Sequence, residues 1–180
     1  MTKARRPIVG VMGSGSDPDE SRSTALGEWL ARFGAHLLTG GGGGVMGSVS
    51  RAFHDSPAPR GSVIGIIPSG LVAGEAKVGY PNPWVEIPIA THLPLSGHQG
   101  SDPGSRNHIN VLTSDVIVAL AGGAGTASEV ALAVSYGKPI IAFVSSAEDI
   151  PGLPASVERS GELSEVCSFV RRTLEARGLA

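Results

Sequence analysis

Three short apolar runs in this chain each end in a cluster of glycine, and few folds accommodate that pairing. Residues 8–12 run into Gly13-Ser14-Gly15-Ser16, residues 35–39 into five consecutive glycines, and residues 116–120 into Ala121-Gly122-Gly123-Ala124-Gly125. Glycine amounts to 26 of 180 residues, gathered between apolar runs and not spread as in collagen or a linker. Glycines at the end of a strand mean tight turns, or backbone that must come close to something.

Between the apolar runs lie helical patterns. Asp17, Pro18 and Glu20 read as N-cap, first and third positions of a helix whose Leu26, Trp29, Leu30 and Phe33 share a face and which Gly34 stops. A second helix is expected over 45–54, then strands over 62–67 and 84–89 with an irregular loop at 68–83 between them. A second long loop spans about 92–102. Pro103 then opens a helix carrying Arg106, Asn107, Ile109, Asn110 and Leu112, ahead of the strand at 116–120. A helix over 126–136 stops at Gly137, a strand follows over 139–144, and Leu163, Val166, Cys167, Val170 and Leu174 stripe a closing helix. Alternation of this kind predicts an α/β fold: one Rossmann-like domain spanning 1–180, a doubly wound parallel sheet with helices on both faces. Residues 1–6 read as a flexible tail. Ligands of such sheets bind outside the carboxyl ends of the strands, where all three glycine clusters fall.

Composition narrows the partners. The chain is 41% hydrophobic and 17% charged, with a formal net charge of −2. A globular domain follows, and neither nucleic acid nor a membrane is expected as partner. No apolar run is long enough to span a bilayer, and a single cysteine, Cys167, excludes an internal disulfide framework. The expected location is cytoplasmic, and Cys167 reads as a small buried apolar residue, as Trp29 reads as core. No cofactor is expected. Schiff-base chemistry with pyridoxal phosphate needs a suitably placed lysine, and neither Lys3 nor Lys138 is one. His92, His98 and His108 match no zinc spacing, so no metal is assigned.

Helix N-termini behind glycines attract anions through unpaired N–H groups and the helix dipole. Asp17, Asp19 and Glu20 weigh against the first loop as a phosphate site, whereas the second has no acid before Asp55 and the third offers amides and the Thr126 hydroxyl. Neither matches G-x-x-x-x-G-K-[ST] or a dinucleotide fingerprint. The expected ligand is therefore a phosphorylated small molecule. Its candidate contacts are Gly13 and Ser14 of the first loop and Gly41, Gly42, Gly43, Gly44, Met46 and Gly47 of the second. Asn107 joins them, with Gly122, Gly123, Ala124, Gly125 and Thr126 of the third. Thr126-Ala127-Ser128-Glu129 also has the form of a capping box, so Glu129 is either a helix cap or a carboxylate facing the ligand.

The segments TGGGGGVMGSVSRA and SRNHINVLTSDVIVALAGGAGTASEVALA together resemble the Lonely Guy and molybdenum-cofactor carrier superfamily. The resemblance covers most of residues 7 to 145. Lonely Guy enzymes are phosphoribohydrolases that cut the N-glycosidic bond of nucleoside 5′-monophosphates, and their signature PGGxGTxxE is matched at Gly122, Gly123, Gly125, Thr126 and Glu129. The resemblance implies Arg106 and Glu129 as catalytic residues, a hydrolase activity and a homodimer or higher homo-oligomer, packed through the helices that carry them. Ala121 replaces the signature's proline and Asn107 the lysine that usually follows the arginine. The wording around 105–133 is closer to the carrier branch, which implies the alternative: a protein that binds a phosphorylated pterin without turnover.

Overall fold

The computed structural model describes residues 5–70 and 75–179. Seven strands form one wholly parallel sheet: β1 (Ile8–Met12), β2 (His36–Thr39), β3 (Val63–Ile67), β4 (Ile87–Ala90), β5 (Val116–Ala119), β6 (Ile140–Phe143) and β7 (Glu158–Ser160). Their order is β4-β3-β2-β1-β5-β6-β7. The α/β fold with helices on both faces expected from the sequence is the one found.

Alternation along the strands builds two cores. Val9 and Val11 of β1, with Leu37, Val63 and Val118, face α1 (Glu20–Phe33), α2 (Gly44–His54) and α5 (Leu163–Ala176). Met12, Leu38, Ile64 and Ile117 face the other way, onto α3 (Asn107–Thr113) and α4 (Ala124–Ser135). The inner strands are thereby apolar on both sides, as a parallel sheet between two helix layers requires, while the edge strands β4 and β7 are largely exposed. Burying one such side chain contributes about 1.5–3 kcal/mol.

Several boundaries differ from expectation. Helix α1 starts at Glu20, with Asp19 as N-cap in the left-handed region (φ 37°) and no side-chain cap. Asp17 instead closes a turn, its carboxylate accepting the Asp19 N–H at 2.9 Å. Pro103 does not open α3: residues 101–106 turn, and the helix begins at Asn107 with Arg106 as N-cap. The fourth strand shrinks from 84–89 to Ile87–Ala90 because Trp84 and Val85 turn on Asn82, whose backbone carbonyl accepts the Val85 N–H at 3.2 Å. The three-residue β7 was too short to carry a periodicity. Trp29 is only partly buried, stacked on Phe33 at 4.8 Å, and Cys167 is likewise half-buried, its thiol pushed up to about 11 chiefly by desolvation. Residues 1–4 of the expected tail and 71–74 of the 68–83 loop lie outside the described residues. Arg5 is tied down, its guanidinium donating to Asp115 at 2.6 and 2.7 Å. Among the described residues no helix is long and apolar enough to cross a membrane.

Candidate functional site

From β1 the chain steps outward to β4, then returns to lay β5 on the free side of β1. Strand order reverses at that seam, so the loops leaving β1 and β5 splay apart and leave a crevice over their carboxyl ends. The crevice is a cleft of about 310 Å³, at the small end of ligand-sized cavities. Its floor and walls come from Gly13, Ser14, Gly15 and Ser16 after β1, Met46 of α2, and Gly123, Gly125, Thr126 and Glu129 of α4. Arg106 and Asn107 enter from the start of α3, and Tyr80, Ser96 and Gly97 from the two long loops.

At its base lies a buried polar unit. Arg106 is 5% exposed, and its NH1 stands 3.8 Å from Glu129 Oε1. Glu129, 8% exposed, accepts a hydrogen bond from Asn110 Nδ2 at 3.0 Å. Burial raises the Glu129 pKa, outweighing the nearby Arg106 charge and the Asn110 hydrogen bond. The capping-box reading of Glu129 does not hold: α4 begins at Ala124 with Gly123 as N-cap, so Thr126 is already inside the helix and Glu129 points into the protein. Among the described residues, two polar atoms of this unit, Arg106 Nε and Asn110 Oδ1, are buried without a hydrogen-bond partner. Such atoms are uncommon in folded proteins.

Helix α4 supplies backbone donors. Its first intrahelical bond runs from Ala127 N–H to Gly123 O at 3.0 Å, which leaves the N–H groups of Ala124, Gly125 and Thr126 ahead of it. Asn107 Nδ2 donates to Ser128 Oγ at 3.3 Å, and Ser128 Oγ to Gly125 O at 2.7 Å, holding that helix start against α3.

The second glycine cluster has another role. Gly41, Gly42, Gly43, Gly44 and Gly47 do not line the cleft, and neither do Gly122 and Ala124. Several polar groups of the second loop are engaged: Gly41 N–H donates to Thr39 Oγ1 at 3.1 Å, and the Gly41 and Gly42 carbonyls accept from Asn82 at 2.7 and 2.9 Å. Val45 N–H donates to Ser14 O at 2.9 Å. A Cβ at Gly40 would collide with the Arg106 guanidinium, and one at Gly42 would come within 2.7 Å of the Tyr80 hydroxyl. These glycines let the loop pass under the site's side chains.

The first loop, discounted for its acids, lies fully in the cleft. Those acids turn away. Asp19 pairs with Arg22 at 3.4 Å, and Glu20 reaches Ser48 and Arg51 of α2, the Ser48 hydrogen bond being the largest cause of its lowered pKa. Counting charge along the chain missed the direction in which it points. Gly15, Ser16, Tyr80, Ser96, Gly97 and the partner residue Asn110 were not in the expected set. Gly15 and Ser16 adjoin Ser14 and were within reach, whereas the loop residues carry no periodic signal.

Among the described residues no group of His, Cys, Asp and Glu is arranged to hold a metal ion. His108 bonds the Tyr136 hydroxyl at 2.7 Å and faces the Asp102 carbonyl at 3.1 Å. On the outer sides of α3 and α4, the helices expected to pair two copies, Leu112, Val134 and Tyr136 are exposed.

The family model of the SLOG cluster4 family matches residues 6–168. The chain belongs to the SLOG cluster4 family. The resemblance to the Lonely Guy and molybdenum-cofactor carrier superfamily read from the glycine motifs is borne out with it. An uncharacterized protein of Archaeoglobus fulgidus is 34% identical over 134 residues, 73% of this chain and 76% of its own. Among solved structures, the molybdenum cofactor binding protein of Rippkaea orientalis is 32% identical with a TM-score of 0.76, covering 96% of this chain and 99% of that one. The Moco carrier protein of Chlamydomonas reinhardtii is 30% identical with a TM-score of 0.72, over the same shares. This SLOG chain thus has the fold of proteins named for a cofactor they bind.

Proposed function

We propose that the chain binds the phosphorylated pterin of the molybdenum cofactor in the cleft between β1 and β5 and holds it without turnover. One observation carries this reading: the amides at the start of α4 and the buried Arg106 converge on a single cleft. Amide and guanidinium donors fit a phosphate, and a guanidinium fork does so with defined geometry. Among the described residues no thiol or imidazole lines the cleft, so the chain would hold this cargo by its organic part and not by its metal. Similarity over nearly the whole chain to two proteins named for this cofactor supports the choice.

A second reading, hydrolysis of nucleoside 5′-monophosphates, is favoured by Arg106 and Glu129 meeting in the same cleft. Water would add to C1′ of the ribose as the bond to the base nitrogen breaks, and that nitrogen would take a proton. A carboxylate near C1′ would stabilise the positive sugar. Burial raises the Glu129 pKa, which works against a charged carboxylate at that position.

The two readings separate in one experiment. Purified protein is mixed with molybdenum cofactor released from a molybdoenzyme, passed over a sizing column and assayed for co-eluting molybdenum; in parallel it is incubated with AMP, GMP and CMP. Molybdenum should travel with the wild type and not with Arg106→Ala, and no free base should appear. Free base from any nucleotide, lost in Glu129→Ala, would establish the hydrolase instead. Failure to retain the cofactor would end the carrier reading.

A further inference from the structure

A cavity larger than the glycine-loop cleft lies elsewhere in the molecule. It is a groove of about 860 Å³ at the opposite, amino ends of the strands, beside Pro7 before β1 and Gly34 before β2. Five arginines line it: Arg5, Arg6, Arg32, Arg60 and Arg171. Among the described residues that line it, Glu175 is the one carboxylate. In a chain of net charge −2, such a concentration of one sign is local and not a reflection of composition.

We propose that this groove is a second anion site, built for a compact polyphosphate. Some of its charge is already matched: Arg5 is bonded to Asp115 at 2.6 Å, and Arg32 stands 3.7 Å from Glu28. Arg6, Arg60 and Arg171 make no ion pair among the described residues. Helix dipoles account for only part of the cluster. Arg32 lies in the last turn of α1, where a cation is stabilising, but Arg6 and Arg60 belong to no helix. The charge of Arg6 reaches His36, whose pKa is lowered by burial first and by that charge second.

The shape of the charge selects the ligand. All five arginines line one pocket, a compact cluster that argues against a nucleic acid strand. Phe33, the aromatic ring in the lining, is stacked on Trp29 at 4.8 Å and carries the Arg171 guanidinium 5.4 Å from its centroid. That ring is engaged and is not offered to a base. Three unmatched guanidinium forks therefore address linked phosphates, whether of an inorganic chain or of a nucleoside triphosphate.

Calorimetric titration of the whole protein with sodium tripolyphosphate near physiological salt tests this. One site per chain is expected, weakening as salt rises. The double variant Arg6→Glu/Arg60→Glu should bind roughly a hundredfold more weakly and Arg171→Gln about tenfold, each lost charged contact being worth about a factor of ten. Both variants alter exposed side chains, and their melting temperatures without ligand should match the wild type. ATP binding more tightly than tripolyphosphate assigns the groove to nucleotides; equal or weaker binding assigns it to the inorganic chain. The proposal is overturned if tripolyphosphate gives no heat, if orthophosphate or an oligoglutamate peptide binds as tightly, or if Arg106→Ala abolishes binding while the groove variants keep it.

Discussion

Arg106, Asn110 and Glu129 form one buried unit, in which Glu129 is the carboxyl. A carboxyl whose pKa is raised on folding is stabilised by the fold in its protonated form. Its contribution to stability is complete below the unfolded pKa and is lost as pH rises through the folded one. Glu129 is such a group, raised chiefly by burial. Glu129→Gln keeps the shape and removes the titration, so the stability of wild type relative to this variant should fall as pH rises. Urea unfolding of both proteins across the acid-to-neutral range measures it; a gap that stays constant or widens in favour of wild type would mean that Glu129 prefers to be charged. Arg106 and Glu129 were legible in the sequence through the family motif that spaces them. Asn110 was not, because a helical asparagine gives no sign of which side chain it will meet. The capping-box expectation failed for a related reason: the pattern from Thr126 to Glu129 does not state where its helix starts, and Gly123 starts it earlier.

At the scale of elements, the three glycine loops divide the work unequally. The loop into α2 is a joint. Gly44 has φ 56°, and a Cβ there would strike the Ser14 carbonyl. Gly44→Ala therefore meets backbone strain and a backbone clash together and should cost about 2 kcal/mol or more. The loop into α4 is the donor. Gly123 lines the cleft, has φ −92°, and a Cβ there would meet nothing within 4 Å. Gly123→Ala should cost less than about 1 kcal/mol, the difference between glycine and alanine at an N-cap. It should still weaken ligand retention, since the new methyl group stands where a phosphate would approach. Thermal melts paired with the cofactor-retention assay separate the two effects, and equal loss of stability in both variants would refute this division. Strands and helices were readable where apolar period and glycine stops coincide, as from α1 into β2. The starts of α1 and α3 were not, because Asp17 and the residues after Pro103 spend their hydrogen-bonding groups on turns instead of caps.

Across the whole molecule, the β1–β5 seam joins the two halves of the sheet and has different chemistry at its two ends. At the carboxyl end it opens into the cleft. At the amino end it is clamped by Asp115, which sits just before β5, accepts the Arg5 fork at 2.6 and 2.7 Å and takes the Ile8 N–H at 2.9 Å. The seam is thus open at the cleft and closed by charge at its amino end. Burial pushes the Asp115 pKa upward, but the hydrogen bonds from Arg5 and Ile8 outweigh it and hold the carboxyl below its ordinary value. A depressed carboxylate contributes stability that is present above the unfolded pKa and is lost as pH falls through the folded one. Asp115→Asn should therefore lower the unfolding free energy by about 1 kcal/mol at about pH 7, the solvent-exposed side of Arg5 keeping the figure modest. As pH is lowered toward about 2 and the wild-type carboxyl takes up its proton, the gap between the two proteins should narrow. Denaturant unfolding at both pH values tests the clamp. If Asp115→Asn is as stable as wild type at neutral pH, the seam is held by its strand pairing alone and Arg5 is free to serve the groove beside it.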